Sequence, residues 1–386
     1  MHVADVGFTR VGDHWGRSIS ELAYESCQKL LKRASNRPDG VVVANSVSEI
    51  SSSQQNLGPL IADALELGDV SALEVEAAGA SGAAAIYVAS NLIRSGELKR
   101  VLVVGVEKMR DLDPAKVVVA QGLAENAEYT QFFGISFASI NALIARMYMG
   151  EYGVAREKLS AFPVIAHKNS ASAEHAQFRK EFTVEDVGRS EIVSEPLRVL
   201  DCAPIGDGAA SALLVAGDEL SREQKRESVE LVASETTSNR MNFFERDKIL
   251  HFTSTESAGQ KALKRVGLRV NDIDLFEIHD SYSILAALSA EALGLSKPGH
   301  ACDDAADGKF DLDGKFPIST FGGMKARGYP IGAAGIYQLC EVYMQLTGRA
   351  KSNQVRDADR AIIQTLAGVD ASAYVSVLAS ERSVSD

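Results

Sequence analysis

The chain has 386 residues, 46% hydrophobic and 24% charged, which is the composition of a globular protein long enough to bury a core and not that of a disordered or fibrous chain. Its 40 Lys and Arg against 52 Asp and Glu leave a formal net charge of −12, which argues against a nucleic-acid or anionic-membrane surface and leaves only a local basic patch for a small anion. The four cysteines, Cys27, Cys202, Cys302 and Cys340, have no spacing that would clamp a metal, so no metal site is expected and a reducing compartment is the natural setting. Met1 to Asp5 does not open a signal peptide, and the longest weakly polar stretch, 77–89, falls short of the ~20 residues that span a bilayer. No membrane association and a cytoplasmic location are therefore expected.

In chain order, the first helical pattern is Gln28-Lys29-Leu30-Leu31-Lys32-Arg33, followed by an apolar strand over Gly40–Asn45. An Ala/Gly-rich helix start, Gly82-Ala83-Ala84-Ala85-Ile86-Tyr87, leads to a second strand at Arg100–Gly105. The same order returns later: Gln260-Lys261-Ala262-Leu263-Lys264-Arg265, a strand over Ile273–His279, Gly332-Ala333-Ala334-Gly335-Ile336-Tyr337, and a strand over Arg360–Thr365. Four matches in one order point to two similar α/β halves, residues 1–222 and 223–386. Residues from about 111 to 195 have no counterpart and are expected to form an insertion. Helix alternating with strand implies crossover connections and mainly parallel sheets covered by helices. The small residues of Ala80–Ala89 are expected to suit packing between subunits.

Sites in such folds gather where strands end and helices begin, because free backbone N–H groups there favour negative charge. That rule selects four loops: Ala77–Gly82, His279–Tyr282, Gly322–Gly335 and Leu366–Asp370.

These loops carry a family resemblance. Val75-Glu76-Ala77-Ala78-Gly79-Ala80-Ser81-Gly82, Gly105-Val106-Glu107-Lys108-Met109, His167-Lys168-Asn169, Asp201-Cys202-Ala203-Pro204-Ile205-Gly206-Asp207-Gly208, Glu277-Ile278-His279-Asp280 and the Gly322–Gly335 run together resemble the thiolase superfamily, within it the archaeal and sterol-carrier-protein-type thiolases. The resemblance implies a duplicated five-layer αβαβα fold with an inserted loop domain. It implies coenzyme A as a substrate moiety with no separate cofactor.

Two departures bear on chemistry. The family's nucleophilic cysteine position is Gly79 here, and the histidine of its Gly-His-Pro motif is Tyr329. Without a thiolate no acyl-enzyme forms at that position. Besides these two, sterol-carrier-type members follow His-Asp with a second reactive cysteine, and here His279-Asp280 is followed by Ser281. Cys202, Cys27 and Cys340 are expected to be structural, and Cys302 has its thiolate disfavoured by Asp303 and Asp304.

The resemblance leaves His279 and Tyr329 as catalytic candidates that polarise a thioester oxygen and move protons. Gly79, Gly368, Ser281 and Tyr282 are expected around the pocket, with Tyr282 serving packing. His167 and Lys168 have two open readings: contact with the coenzyme A phosphate or pantetheine arm, or shaping of the pocket wall. For Tyr329 the alternative is that it only fills the place of the lost histidine. His2, His14, His175, His251 and His300 form no constellation and are expected at the surface or in local structure.

Three functions follow. One is retro-aldol cleavage of a β-hydroxyacyl-CoA, which needs no nucleophile. Another is a non-catalytic subunit of an acyl-CoA complex, since archaeal-type thiolases resemble proteins that assemble with a small zinc-ribbon/OB-fold partner. The last is an acyltransferase with an unusual nucleophile, for which Ser81 is the local candidate. A homodimer or tetramer is expected in each case.

Overall fold

The computed structural model describes residues 1–381. Among them, β1 (His2–Phe8), β2 (Gly40–Ala44), β3 (Ser71–Val75), β4 (Arg100–Glu107), β5 (Gly208–Val215), β6 (Val229–Ser238), β7 (Leu275–Glu277), β8 (Arg360–Ala367) and β9 (Ser372–Ser380) join in the order β3-β2-β4-β5-β1-β6-β9-β8-β7. The order is nearly a palindrome about the β1–β6 seam, where the halves pair only at His2 with Glu230 and Val3 with Val229. Across it β1 corresponds to β6, β5 to β9, β4 to β8 and β2 to β7. Even β3 has an echo in the segment beside β7, where Phe276 N donates to Pro317 O at 2.9 Å and Ser319 N to Phe276 O at 3.1 Å.

The sheet is mixed, and less parallel than helix–strand alternation suggests. β2–β3, β2–β4 and β7–β8 are parallel, whereas β4–β5, β5–β1, β1–β6, β6–β9 and β9–β8 are antiparallel. The reason is local. β8 returns to β9 through the tight turn 368–371, and β4 returns to β5 through the insertion, so neither link is a helical crossover.

Helix α1 (Ile19–Arg33) starts at a capping box between Ser18 and Glu21, buries Leu22, Ala23, Ser26, Cys27 and Leu30 on one face, and lies over β1 and β5. α6 (Thr253–Val266), ended by Gly267 in the left-handed region, lies in the same way over β6 and β9, and α7 (Ser283–Ala292) follows β7. Between the halves run α2 (Ser81–Arg94) and α8 (Ala334–Leu346), completing the five layers. Each follows a 3₁₀ turn, Ala78–Ala80 and Ile331–Ala333. Gly79 therefore corresponds to Gly332 and Gly82 to Gly335, one short turn out of step with the sequence match of Gly82 to Gly332.

α2 and α8 touch backbone to backbone. A Cβ on Gly82 would lie 2.9 Å from Gly335 N, and one on Gly335 would lie 2.5 Å from Ala83 N. The small residues of α2 thus serve contact within the chain, correcting the expectation that they pack between subunits: Ala80, Ala83, Ala84, Ala85 and Ala89 are already buried. The insertion contributes α3 (Pro114–Gly122), α4 (Phe137–Tyr152), α5 (Ala161–Ser170) and a two-stranded ribbon of Ile192–Ser194 with Leu197–Arg198.

Gly82→Ala should lower unfolding free energy by about 1–3 kcal/mol, because backbone on the facing helix cannot yield. Gly150→Ala, where a Cβ meets nothing within 4 Å, should raise it by about 1 kcal/mol. Urea titration of both variants measures the pair; equal effects would remove the case for backbone contact at the α2–α8 crossing.

Candidate functional site

The four loops named from the sequence converge on one narrow cleft of about 50 Å³. Gly79 comes from the turn before α2, His279, Ser281 and Tyr282 from the end of β7, Tyr329 from the loop before α8, and Leu366 and Gly368 from the end of β8. Three further walls were not expected: Ser46 and Val47 after β2, Ala120 to Ala124 and Phe137 from the insertion, and Ala203 before β5. Glu76 stands exposed at its mouth.

The Tyr329 hydroxyl occupies the space that a side chain at position 79 would need. A Cβ built on Gly79 collides with that hydroxyl and also lies 2.9 Å from Leu366 O and 3.1 Å from His279 Cε1. Glycine at 79 and tyrosine at 329 are thus one arrangement. The preceding residue, Ala78, keeps φ +47°, a left-handed conformation that costs of order 1–3 kcal/mol in a non-glycine residue.

His279 is buried, with its ring perpendicular to that of Tyr329 at a centroid distance of 5.8 Å. Its Nδ1 accepts from Leu366 N at 3.2 Å, and Nε2 lies 2.9 Å from Ser281 Oγ. With Nδ1 accepting, Nε2 carries the proton and donates to Ser281 Oγ, which leaves the Ser281 hydroxyl free to donate elsewhere. Burial pushes the imidazole down to about 3, with the Lys325 charge adding to it, so His279 is a neutral donor. Burial pushes the Tyr329 phenol up, and the charge of Glu107 pushes it further. Both groups hold their protons at neutral pH.

Buried carboxylates fix the loops from behind. Asp280 accepts from Met324 N at 2.7 Å and Ser319 Oγ at 3.2 Å. Glu107 accepts from Gly332 N at 2.9 Å. Glu125, from the insertion, accepts from Val369 N at 2.6 Å beside Gly368, whose φ is +59°. Burial pushes Glu107 and Glu125 up to about 7. Arg327, fully buried, lies 3.1 Å from Glu341 Oε1, stacks on Tyr337 and donates from Nη1 to Gly328 O at 3.2 Å.

His167 and Lys168 are not brought to the cleft. His167 packs edge-on against Phe182 with Nδ1 3.1 Å from Lys180 O, burial pushing it down to about 4, while Lys168 reaches out to Asp311 at 3.0 Å. His175 and His2 depart from the expectation of a surface or local role. His175 is buried against Glu341 at 2.9 Å, and His2 is buried against Ser228 at 2.9 Å. Ser81 Oγ is occupied within its own turn, donating to Ala78 O at 2.7 Å and accepting from Ala77 N at 2.9 Å. Burial raises all four thiols: Cys27 to about 11, Cys202 and Cys302 to about 12, and Cys340 well above its ordinary value. For Cys302, Glu291 follows burial as a cause and precedes Asp303. Among the described residues no group of His, Cys, Asp and Glu is placed to hold a metal ion, and no helix is long and apolar enough to cross a membrane.

A duplicated α/β fold with its site where two central helices begin is the thiolase architecture. The family profile "Thiolase, N-terminal domain" matches residues 4–218 and "Thiolase C-terminal domain-like" matches residues 234–380. The chain belongs to the thiolase family. It is 35% identical to an acetyl-CoA acetyltransferase of Methanothermobacter thermautotrophicus, over 97% of this chain and 98% of that one. It is 29% identical to sterol carrier protein 2 of Gallus gallus, over 95% of this chain and 69% of that protein. A solved chain described as the Ltp2-ChsH2(DUF35) aldolase shares the fold with a TM-score of 0.84 at 24% identity, covering 99% of this chain and 98% of that one.

Two measurements check the site. Gly79→Ala should lower stability by about 1–3 kcal/mol through overpacking, and adding Tyr329→Phe should recover part of the loss, a coupling that a double-mutant cycle reads directly. The folded state also keeps His279 neutral far below its unfolded value near 6.5, so this group's penalty is absent above pH 6.5 and grows as pH falls from 6.5 toward 3. Glu107 and Glu125 act in the opposite sense, their raised values removing stability as pH rises from about 4.5 through 7. His279→Gln should therefore flatten the loss of stability between pH 6.5 and 4 in denaturant titrations; an unchanged slope would contradict a neutral buried His279.

Proposed function

We propose that this thiolase-family chain binds a CoA thioester and, without forming an acyl-enzyme, cleaves a β-hydroxyacyl-CoA by a retro-aldol reaction. The observation that carries this reading is the Tyr329 hydroxyl standing where a nucleophile at position 79 would project. The β-hydroxyl gives up its proton as its C–O bond becomes a carbonyl, and the electron pair of the Cα–Cβ bond passes into the thioester as an enolate. An aldehyde or ketone leaves, and a proton returned to Cα yields the shortened acyl-CoA. The free Ser281 hydroxyl, held by His279, and the backbone around Gly79 and Gly368 supply polarity at the enolate oxygen, while the neutral Tyr329 phenol relays the proton, its oxygen taking the β-hydroxyl proton as its own proton passes to Cα. The name aldolase borne by a protein of the same fold is in keeping with this reading. An acyltransferase with an unusual nucleophile is disfavoured by the raised thiols and by the occupied Ser81 hydroxyl.

The chain is proposed to work as a homodimer or larger assembly, with a small zinc-ribbon/OB-fold protein as a further partner. The edge position of strand β3 and the exposed Val118, Val119, Leu123, Phe132 and Phe133 of the insertion favour assembly, because sheet edges and large apolar patches are surfaces that proteins cover. The non-catalytic reading rests on the same patch.

Incubation with β-hydroxyacyl-CoA substrates should release a carbonyl product, while acetoacetyl-CoA plus CoA gives no acetyl-CoA. Tyr329→Phe should slow turnover about 10²-fold or more, the ordinary worth of one proton-transfer group, with little change in acyl-CoA affinity by calorimetry. Wild-type protein that binds acyl-CoA yet cleaves none of these substrates would favour the non-catalytic subunit. Thiolysis abolished by Ser81→Ala would overturn both. Light scattering that reports only a 41.3 kDa species would remove the homo-oligomer.

A further inference from the structure

Glu107 is fully buried at the end of β4, and none of its four hydrogen bonds goes to a charged group. Oε1 accepts from Asn45 Nδ2 at 2.9 Å and from Val47 N at 3.4 Å, while Oε2 accepts from Ser46 N at 3.0 Å and from Gly332 N at 2.9 Å. One carboxylate thus joins the cleft wall after β2 to the 3₁₀ turn that begins α8, three residues beyond Tyr329. Asn45 is itself held, donating from Nδ2 to Val106 O at 2.6 Å and accepting at Oδ1 from Ser48 N at 2.7 Å. We infer that Glu107 is a positioning residue, which couples the Ser46–Val47 wall to the Tyr329 loop and holds the Tyr329 hydroxyl over Gly79 as a proton donor.

The physical basis is geometric first. Gly328, at φ +104°, turns the chain into Tyr329, and Pro330, at φ −73°, restricts Tyr329 before it. Position along the loop is then set by what holds its two ends. Arg327 bonded to Gly328 O holds one, and Glu107 bonded to Gly332 N holds the other. A glutamine at 107 would present an NH₂ to backbone N–H groups and lose part of the anchor. The second effect is electrostatic: a negative charge behind the phenol disfavours phenolate and keeps Tyr329 a donor. The other groups facing Tyr329 are Arg327, which favours phenolate, Asp280, which disfavours it, Tyr282, and His279, whose neutral ring does not titrate near pH 7. Among the described residues, Asn45, Ser46, Val47 and Gly332 are the ones that bond to Glu107.

The inference deepens the proposed role of Tyr329 and is tested without turnover. Protein carrying 3-fluorotyrosine is titrated by fluorine NMR, with the Tyr329 resonance assigned through Tyr329→Phe. In wild type this resonance should step near neutral pH as Glu107 ionises. In Glu107→Gln the step should vanish and the phenol should ionise about one pH unit or more lower, the influence of a neighbouring like charge having been removed. A folded Glu107→Gln protein with an unchanged Tyr329 titration would overturn the inference, since a merely structural glutamate shifts stability and not the phenol. If that variant does not fold, Asp280→Asn and Glu125→Gln decide: a step retained in both assigns it to Glu107, and a step lost in either, or a flat wild-type titration from pH 5 to 9, rejects the assignment. Absent lyase activity with the expected fluorine titration would reject the retro-aldol reading and leave this inference standing.

Discussion

The close backbone contact between the two halves, Gly82 against Gly335, is the constraint from which the rest of the molecule follows. Two helices whose faces carried larger side chains would cross about 8–10 Å apart, and the turns that begin them would be too far apart to share a cleft. With glycines at the crossing, the turns ending at Ala80 and Ala333 lie side by side. Gly79 and Tyr329 meet because these helices do. The pseudo-twofold sheet, joined by only two residue pairs at its seam, leaves much of the joining of the halves to this central layer.

That layer is apolar, yet the loops rising from it are held by buried charge. Asp280, Glu107 and Glu125 each spend a carboxylate on backbone N–H groups of the second half's site loops, and Arg327 is enclosed by Glu341 and Tyr337. Burying such groups opposes their ionisation, which is why burial is the first cause of the raised Glu107 and Glu125 values. An apolar replacement would leave the N–H groups without partners, a penalty of about 1–3 kcal/mol each. The carboxylates therefore define loop position more than they add stability, as expected where a site requires one conformation from segments with little regular structure.

Much of this was legible in the sequence because it rests on periodicity and punctuation. The two strand-and-helix series, the insertion and the four site loops could each be read from residues such as Gly40–Ala44, Arg100–Gly105 and Gly322–Gly335. The balance of parallel to antiparallel pairing could not, because it depends on whether a connection returns on the same side, and a turn as short as 368–371 leaves little trace in composition. The register of the two helix starts was misjudged for a similar reason, since each start carries two glycines three residues apart, Gly79 and Gly82 in one and Gly332 and Gly335 in the other. His167 and Lys168 were drawn to the cleft by motif alone, while the packing of Phe178 and Phe182 around His167 is a long-range fact. Glu107 stood in a motif that carried the family resemblance but was given no role, and Glu125 carried no usable signal, because an acidic residue at a strand end or in a loop is ordinarily solvated.

The pairing of Gly79 with Tyr329 is a constraint of packing. A side chain at 79 would strike the Tyr329 hydroxyl, and a smaller residue at 329 would leave a void at the bottom of the cleft. Glycine at 79 and tyrosine at 329 fill the space together. A strained φ stands beside them at Ala78, in the same turn. Conformational cost of this kind endures only where the surroundings over-determine it, and here they do: the turn is pinned by Ser81 to Ala77 and Ala78 and by the helix crossing behind it. The scaffold therefore presents whatever stands at its apex, and a donor at Tyr329 inherits a position that the fold already maintains.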